Sequence, residues 1–429
     1  MAPKHFDVIE HTVLSSYVRE YPGATLTDQE VKLYLHVKQY VARQRPPATT
    51  TTPPITILAS GSLGTPKEVY EPLWDSLYEK CTTSGFSIRS IWIADPVHQA
   101  KSALLNAGKL GDDPSWIDHT RDLFLLVNQF HDQMPRPLIG IGHSYGAVHL
   151  ANLAFIHPRL LSGIIFLDPF IMINHPVQFR AHPVFHKYIV NRPTSWPSRS
   201  KAEAEIAKWP LYAGWDPRCV RALLEHGLAP LPPPPSGSAS PAYNSVDPPV
   251  ALTTSPAQEI HSMGRRTLAE KGPNGSLTFD HDVNPDLDPL DAGDVLYRPE
   301  MRGTWERMTE LRPPAKFILG AKTYMLINEV REAIQRCGTG RGGSGGIAKG
   351  RVSEVTFKGG SHHFPVEMVD RTAEECAKWI GPEVERWSGE EQKWREDVEQ
   401  RLRDGERIGE EISPWMRTLL KSFAAKSKI

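Results

Sequence analysis

The run Leu138-Ile139-Gly140-Ile141-Gly142-His143-Ser144-Tyr145-Gly146 is an apolar strand that ends in G-x-S-x-G and leads into the helix-forming stretch Ala147–Phe155. A serine hydroxyl is a weak nucleophile until a base removes its proton, and a sharp strand-to-helix turn lifts its oxygen clear of a sheet. Glycines on either side let the backbone turn without a Cβ clash. Ser144 is therefore the candidate nucleophile, and the chemistry open to it is acyl transfer. A base is offered by Gly359-Gly360-Ser361-His362-His363-Phe364-Pro365, a Gly-rich turn that follows a strand and presents two histidines ahead of a helix. His362, two residues before the Phe364-Pro365 pair, is the first candidate, and His363 is the alternative base. An acid must orient that histidine and stabilise its charged form. Asp168 ends the strand Leu161–Leu167 and is stiffened by Pro169. After the strand Ala315–Gly320 there is no carboxylate before Glu329, the alternative acid. Asp95 also ends a strand, but it precedes the serine and reads as structural. Two amides must receive the oxyanion: Tyr145, next to the nucleophile, and Leu63, in the loop Ser60-Gly61-Ser62-Leu63-Gly64.

These groups need a scaffold that brings distant strand ends together. Apolar runs at 6–14, 31–42, 55–59, 87–94, 137–142, 161–168, 315–320 and 352–357 read as strands, and 67–82, 116–133, 147–155, 327–336 and 365–380 read as helices. The alternation implies an α/β fold with a mostly parallel sheet covered on both faces. Regularity breaks after Asp168. A structureless stretch that long does not suit a compact domain, so 170–303 reads as an inserted cap with a Pro-rich segment at Pro230–Pro241 and helical patches at 201–212 and 219–228. The expected organisation is core at 1–169 and 304–382, cap at 170–303, and a charged tail at 383–429 that forms a solvated surface helix.

Composition bounds the function. The chain has 429 residues, 40% hydrophobic and 23% charged, with a formal net charge of -1. That balance gives no overall attraction to nucleic acid or anionic lipid. Cys81, Cys219, Cys337 and Cys376 are widely spaced, which suits ordinary thiols in a reducing compartment. The N-terminus lacks the apolar core of a secretory signal and no apolar stretch is long enough to span a bilayer, so a soluble protein is expected. The last residues, Ser427-Lys428-Ile429, are a variant of the S-K-L address and point to the peroxisomal import receptor and the peroxisomal matrix. The glycine-rich run Gly338–Gly346 with Arg341 reads as a loop rather than a phosphate cradle, and the acidic stretch Asp280–Asp294 lacks Ca²⁺-loop spacing. No metal and no redox cofactor are expected.

By these residues the chain resembles the α/β-hydrolase superfamily over roughly residues 30–380. More narrowly, Arg19-Glu20-Tyr21-Pro22-Gly23, Tyr70-Glu71-Pro72-Leu73-Trp74, Asp132–Pro137, Asp216-Pro217-Arg218-Cys219 and the Gly342–Gly346 loop are similar to the fungal peroxisomal acyl-CoA hydrolases of mycophenolic acid biosynthesis. The resemblance implies a catalytic set of Ser144, Asp168 and His362 and a thioesterase acting on the CoA thioester of a natural-product intermediate, with CoA as part of the substrate. Where many relatives of this fold carry His-Gly before the oxyanion donor, this chain has Gly61-Ser62. An ester or lactone hydrolase, an acyltransferase or cyclase, and a non-catalytic binding protein of the same fold are the alternatives. Monomer and homodimer both stay open.

Overall fold

The computed structural model describes residues 3–44, 52–174, 189–231, 245–267, 270–271, 277–278, 280–288, 291 and 296–426. Its centre is an eight-stranded sheet: β1 (Phe6–Leu14), β2 (Tyr34–Ala42), β3 (Ile55–Ser60), β4 (Ile88–Ala94), β5 (Leu138–His143), β6 (Gly163–Leu167), β7 (Ala315–Gly320) and β8 (Val352–Phe357). The spatial order is β1-β2-β4-β3-β5-β6-β7-β8. β1 and β2 run antiparallel to their neighbours, and β4, β3, β5, β6, β7 and β8 are mutually parallel. The central strands β3, β5 and β7 are buried along their whole length. That is why they read as continuous apolar runs and not as alternation.

Register places the chemistry. Ser60 pairs with Gly142, His143 with Leu167, Leu167 with Ile318, and Gly320 with Phe357. The carboxyl ends of β3, β5, β6, β7 and β8 therefore share one edge, where a doubly wound sheet opens to ligand. One face is covered by α3 (Trp116–Gln129) and α4 (Tyr145–Ile156), following α1 (Glu71–Cys81) and the short α2 (Ala100–Leu105) in the chain. The other face is covered by α1 and by the long C-terminal helix described below.

Between β6 and β7 lies the stretch expected as a cap. It holds a three-stranded antiparallel sheet of Ser195–Trp196, Leu228–Pro230 and Val250–Leu252. Its helices are α5 (Arg199–Ile206), α6 (Pro217–His226), α7 (Pro256–Met263) and α8 (Pro299–Arg307). Trp196, Ile206, Tyr212, Trp215 and Leu223 join the same apolar cluster as Leu73, Trp74 and Phe364, which seats the cap on the core. Most of the Pro-rich segment, from 232 to 244, lies outside the described residues, as does Ser427-Lys428-Ile429.

Several boundaries differ from the sequence reading. The expected strand at 31–42 begins at Tyr34, and the expected helix at 67–82 is a 3₁₀ turn, Lys67–Tyr70, followed by α1. Pro72 has no N–H to donate, so a fresh helix starts there. After α9 (Ile327–Arg336) and α10 (Phe364–Glu367), a single helix, α11 (Val369–Arg403), runs through Pro382 and merges the helix expected at 365–380 with the tail. The lost bond at Pro382 is offset by burial of Ala373, Cys376, Ala377, Ile380 and Val384. The chain closes with α12 (Pro414–Lys426). In the loop Gly338–Gly346, backbone amides bond within the protein: Gly343 to Gly340, Ser344 to Leu311 and Gly345 to Gly338. In the acidic stretch, Asp286 pairs with Arg265 at 2.7 Å, and Asp288 and Asp291 pair with Arg302. The four cysteines are free and buried, and among the described residues no helix is long and apolar enough to cross a membrane.

Two glycines of α11 give opposite expectations. A Cβ on Gly381 would lie 1.9 Å from the Ser84 carbonyl oxygen, whereas one on Gly389 meets nothing within 4 Å. Thermal unfolding is expected to show Gly381→Ala destabilised by about 1–3 kcal/mol through overpacking, and Gly389→Ala stabilised by about 0.5–1 kcal/mol through helix propensity. Equal effects of the two would contradict this packing of α11 against the segment after α1.

Candidate active site

Ser144 sits between β5 and α4 with φ 59° and ψ -125°. The turn is tight. A Cβ on Gly142 would lie 2.7 Å from the Gly146 carbonyl oxygen, and one on Gly146 would lie 2.2 Å from that of Ser60. Any side chain at either position would force the turn open, which is the physical content of G-x-S-x-G here. The same contact shows that the loop after β3 crosses the first turn of α4.

The structure brings three of the sequence candidates into one line. His362 Nε2 lies 2.9 Å from Ser144 Oγ, and His362 Nδ1 lies 2.7 Å from Asp168 Oδ2. All three side chains are buried. With Nδ1 donating to the carboxylate, Nε2 carries the lone pair and can accept the serine proton. Asp168 Oδ1 accepts the Gly320 N–H at 2.9 Å, and Oδ2 also accepts the Thr323 hydroxyl. Thr323 is a residue that sequence reasoning missed. It lies in the segment after β7 where the usual acid was sought, and there it serves the carboxylate supplied by β6.

The two alternatives sit elsewhere. Glu329 accepts the amides of Ile173 and Asn174, at 2.8 and 2.9 Å, and the Asn174 side-chain amide, so it ties down the segment entering the cap. His363 turns to the cap, with its ring 5.7 Å from that of Trp215. Asp95 holds the Lys67 ammonium and the Lys67 N–H.

The amides expected to receive an oxyanion are those of Leu63 and Tyr145. Among the described residues neither is drawn into another hydrogen bond, and Tyr145 opens α4, where the first amides of a helix have no partner within it. The neighbouring Ser62 amide is not available, since it donates to the Tyr70 hydroxyl at 2.8 Å. Gln99 braces both donors. Its carbonyl accepts the Gly64 N–H at 3.0 Å and its amide donates to the Tyr145 hydroxyl. From the cap, Glu259 of α7 lies against Gly64 and pairs with Arg192.

Burial sets the electrostatics. It pushes the Asp168 carboxyl up to about 6, against the hydrogen bonds from Gly320 and Thr323, and pushes His362 down to about 3. Both directions favour a neutral imidazole at rest. Above pH 6 the carboxylate is ionised, the state in which it can offset an imidazolium formed during reaction. The rings of Tyr324 and Phe170 stand 4.8 and 5.9 Å from His362, and Trp116 stands 5.8 Å from Phe170. This aromatic wall keeps the base in low-dielectric surroundings.

No protein-family model matches the chain. It is 40% identical over 407 residues to the type I acyl-CoA thioesterase mpaH' of Penicillium brevicompactum, with 92% of each chain covered. It is also 40% identical over 408 residues to mpaH of Penicillium roqueforti, again with 92% of each covered. Among solved structures, the peroxisomal alpha-beta-hydrolase Lpx1 of Saccharomyces cerevisiae superposes with a TM-score of 0.64 over 99% of this chain and 98% of that one, at 16% identity. That likeness bears on the fold alone. With eight strands in this order, a serine elbow on β5, and such identity along nearly its whole length, the chain is an α/β-hydrolase and belongs to the family of the type I acyl-CoA thioesterases named mpaH.

Proposed function

We propose that this hydrolase cleaves the CoA thioester of a secondary-metabolite intermediate to the free acid and CoA through an acyl-enzyme on Ser144. The observation that carries the reading is the unbroken line Ser144 Oγ, His362, Asp168, with separations of 2.9 and 2.7 Å. The substrate class is supported by the names of the relatives, which are acyl-CoA thioesterases. His362 Nε2 takes the serine proton as Oγ attacks the thioester carbonyl, and the amides of Leu63 and Tyr145 receive the oxyanion. Collapse breaks the C–S bond, and the same Nε2–H returns the proton to the departing CoA thiolate. A thiolate is a good leaving group, its conjugate acid having a pKa near about 8.5. Water then enters, His362 deprotonates it, and attack on the acyl-serine releases the acid and restores Ser144. No cofactor takes part in this scheme. The core is assigned to 1–169 and 304–382, and the cap at 170–303 shapes the acyl pocket and excludes water. Ser427-Lys428-Ile429 is assigned to peroxisomal import on its likeness to the S-K-L address.

Thiol release from a panel of acyl-CoAs tests the reading. Ser144→Ala and His362→Ala are expected to lose about 10⁴-fold or more in kcat, while His363→Ala keeps most of it. Turnover of matched oxygen esters or lactones without thiol release would move the substrate class to those compounds. The pH profile is a second check. Below pH 6 Asp168 takes up a proton and no longer offsets the charge on His362, so kcat/KM is expected to fall about tenfold per pH unit there and to stay level from about 7 to 8.5. A rate constant from pH 4 to 7 would remove Asp168 from this role. Removing residues 427–429 should leave the rate intact and send a fluorescent fusion to the cytosol; a fusion that stays in peroxisomes would overturn the targeting assignment.

A further inference from the structure

Three loops must hold their places for the reaction just described, and two side chains with no part in bond making join them. Tyr70 ends the 3₁₀ turn that follows the oxyanion loop, and His143 is the last residue of β5, directly before Ser144. Both are buried, with 2% and 1% of their surface exposed. The Tyr70 hydroxyl lies 2.7 Å from His143 Nδ1, and His143 Nε2 lies 2.9 Å from the backbone carbonyl oxygen of His362. On its other side the Tyr70 oxygen accepts the Ser62 N–H at 2.8 Å and stands 3.1 Å from Ser62 Oγ.

The proton positions in this chain follow from its ends. A carbonyl oxygen only accepts, so His143 Nε2 must carry the hydrogen. Burial and the neighbouring His362 hold His143 well below the usual histidine range, so it stays neutral and its Nδ1 has a lone pair. The Tyr70 hydroxyl, itself raised by burial and therefore protonated, supplies the hydrogen to Nδ1. Its oxygen is then free to accept from Ser62. His143 Nδ1 finds a donor in one arrangement: Ser62 N–H to Tyr70, Tyr70 O–H to His143 Nδ1, His143 Nε2–H to His362 C=O, whereas a Tyr70 O–H turned to Ser62 Oγ would leave it buried without a partner.

We infer that Tyr70 and His143 are positioning residues that lock the oxyanion loop, the nucleophile turn and the histidine loop into one register. The inference rests on the acyl-enzyme reading above and adds to it what holds the base at hydrogen-bonding distance from the nucleophile. The arrangement also accounts for Gly61-Ser62. A Cβ on Gly61 would fall 2.8 Å from Tyr70 Cε2, so glycine makes room for the phenol ring. The Ser62 amide is spent on Tyr70, which leaves Leu63 as the oxyanion donor of this loop. If Tyr70 loses its hydroxyl, Nδ1 is left without a donor and the oxyanion loop loses its tie to the nucleophile turn, while the Nε2–H bond to the His362 carbonyl remains and still fixes the tautomer.

The test uses the full chain, with Tyr70→Phe, His143→Ala, His143→Gln and the double variant Tyr70→Phe/His143→Ala. Active sites are counted with a serine-reactive fluorophosphonate, with Ser144→Ala as the unlabelled control. Per labelled site, Tyr70→Phe and His143→Ala are expected to lose about 10- to 100-fold in kcat, as a misplacement of roughly 1 Å would cause, with KM changed less than about threefold. The double variant should lose no more than the worse single one, because both break one chain. His143→Gln, whose amide can still donate to the His362 carbonyl, should recover part of the rate. Ring-nitrogen NMR should show His143 as the Nε2–H tautomer, without titration, in the wild type and in Tyr70→Phe, with the Nδ1 resonance displaced in the variant by loss of the phenol donor. Should kcat per labelled site stay within twofold of wild type, or the two losses multiply, the inference is wrong and the bonds serve stability alone. Failure of the acyl-enzyme reading looks different: wild type and Ser144→Ala would then label and turn over alike. If His143→Ala does not fold, Tyr70→Phe decides by its rate per site and by the displaced His143 Nδ1 resonance.

Discussion

Ser144 holds a backbone conformation that an L residue adopts only at a cost of about 1–3 kcal/mol, and the fold around it exists to keep it there. Its neighbour across the sheet is in the same condition, since Asp168 has φ 42°. Both residues follow the last paired positions of adjacent strands, His143 on β5 and Leu167 on β6. The two strained turns brace each other. The Ser144 N–H donates to the Leu167 carbonyl at 2.9 Å, the Phe170 N–H donates to the Ser144 carbonyl at 3.2 Å, and the Asp168 N–H donates to Ile318 at 2.8 Å. Relaxing the Ser144 turn would break its bonds to Leu167 and Phe170 on either side of Asp168, so the sheet edge fixes the pair as a unit.

At that edge the carboxylate bonded to His362 stands after β6 and not after β7. The parallel register brings Leu167 level with Ile318, so the groups just beyond each strand face the same histidine. A carboxylate after β6 needs donors to remain ionised in a buried place, and the segment after β7 supplies them in the Gly320 amide and the Thr323 hydroxyl. A carboxylate after β7 would need donors from β6 in return. The labour is shared between two strand ends, and what differs is which one carries the charge.

What could be read from the chain alone follows from the range of each signal. The strand series, the serine turn and the order serine, aspartate, histidine are carried by contiguous residues, and the choice of Asp168 over Glu329 needed only the position of a strand end. Contacts across the fold leave no such mark. Tyr70 meets His143 73 positions away, and His143 meets the His362 carbonyl 219 positions away. Nothing in the local sequence separates Tyr70 from an ordinary core aromatic. The passage of α11 through Pro382 was hidden for a related reason. Proline signals a stop locally, and the burial of Ile380 and Val384 that overrides it is a tertiary effect.

The distribution of charge around the site follows from the same economy of strain. The turn that carries Tyr70 is anchored at its start by ion pairs, Lys67 with Asp95 and Glu68, and Lys38 with Glu68 and Glu71, all buried. Burial pushes the Asp95 carboxyl up, so this anchor depends on good geometry to hold its charges. The end of the turn nearest the base is held differently, by a phenol and a neutral imidazole. A fixed cation at that distance would oppose the positive charge that His362 must acquire, and a fixed anion would compete with Asp168 for its orientation. Uncharged donors are the groups that can position a base without altering its affinity for the proton. On this turn the ion pairs stand at Lys67 and Glu68, and the neutral hydrogen bonds stand at Tyr70, the end joined through His143 to the histidine loop.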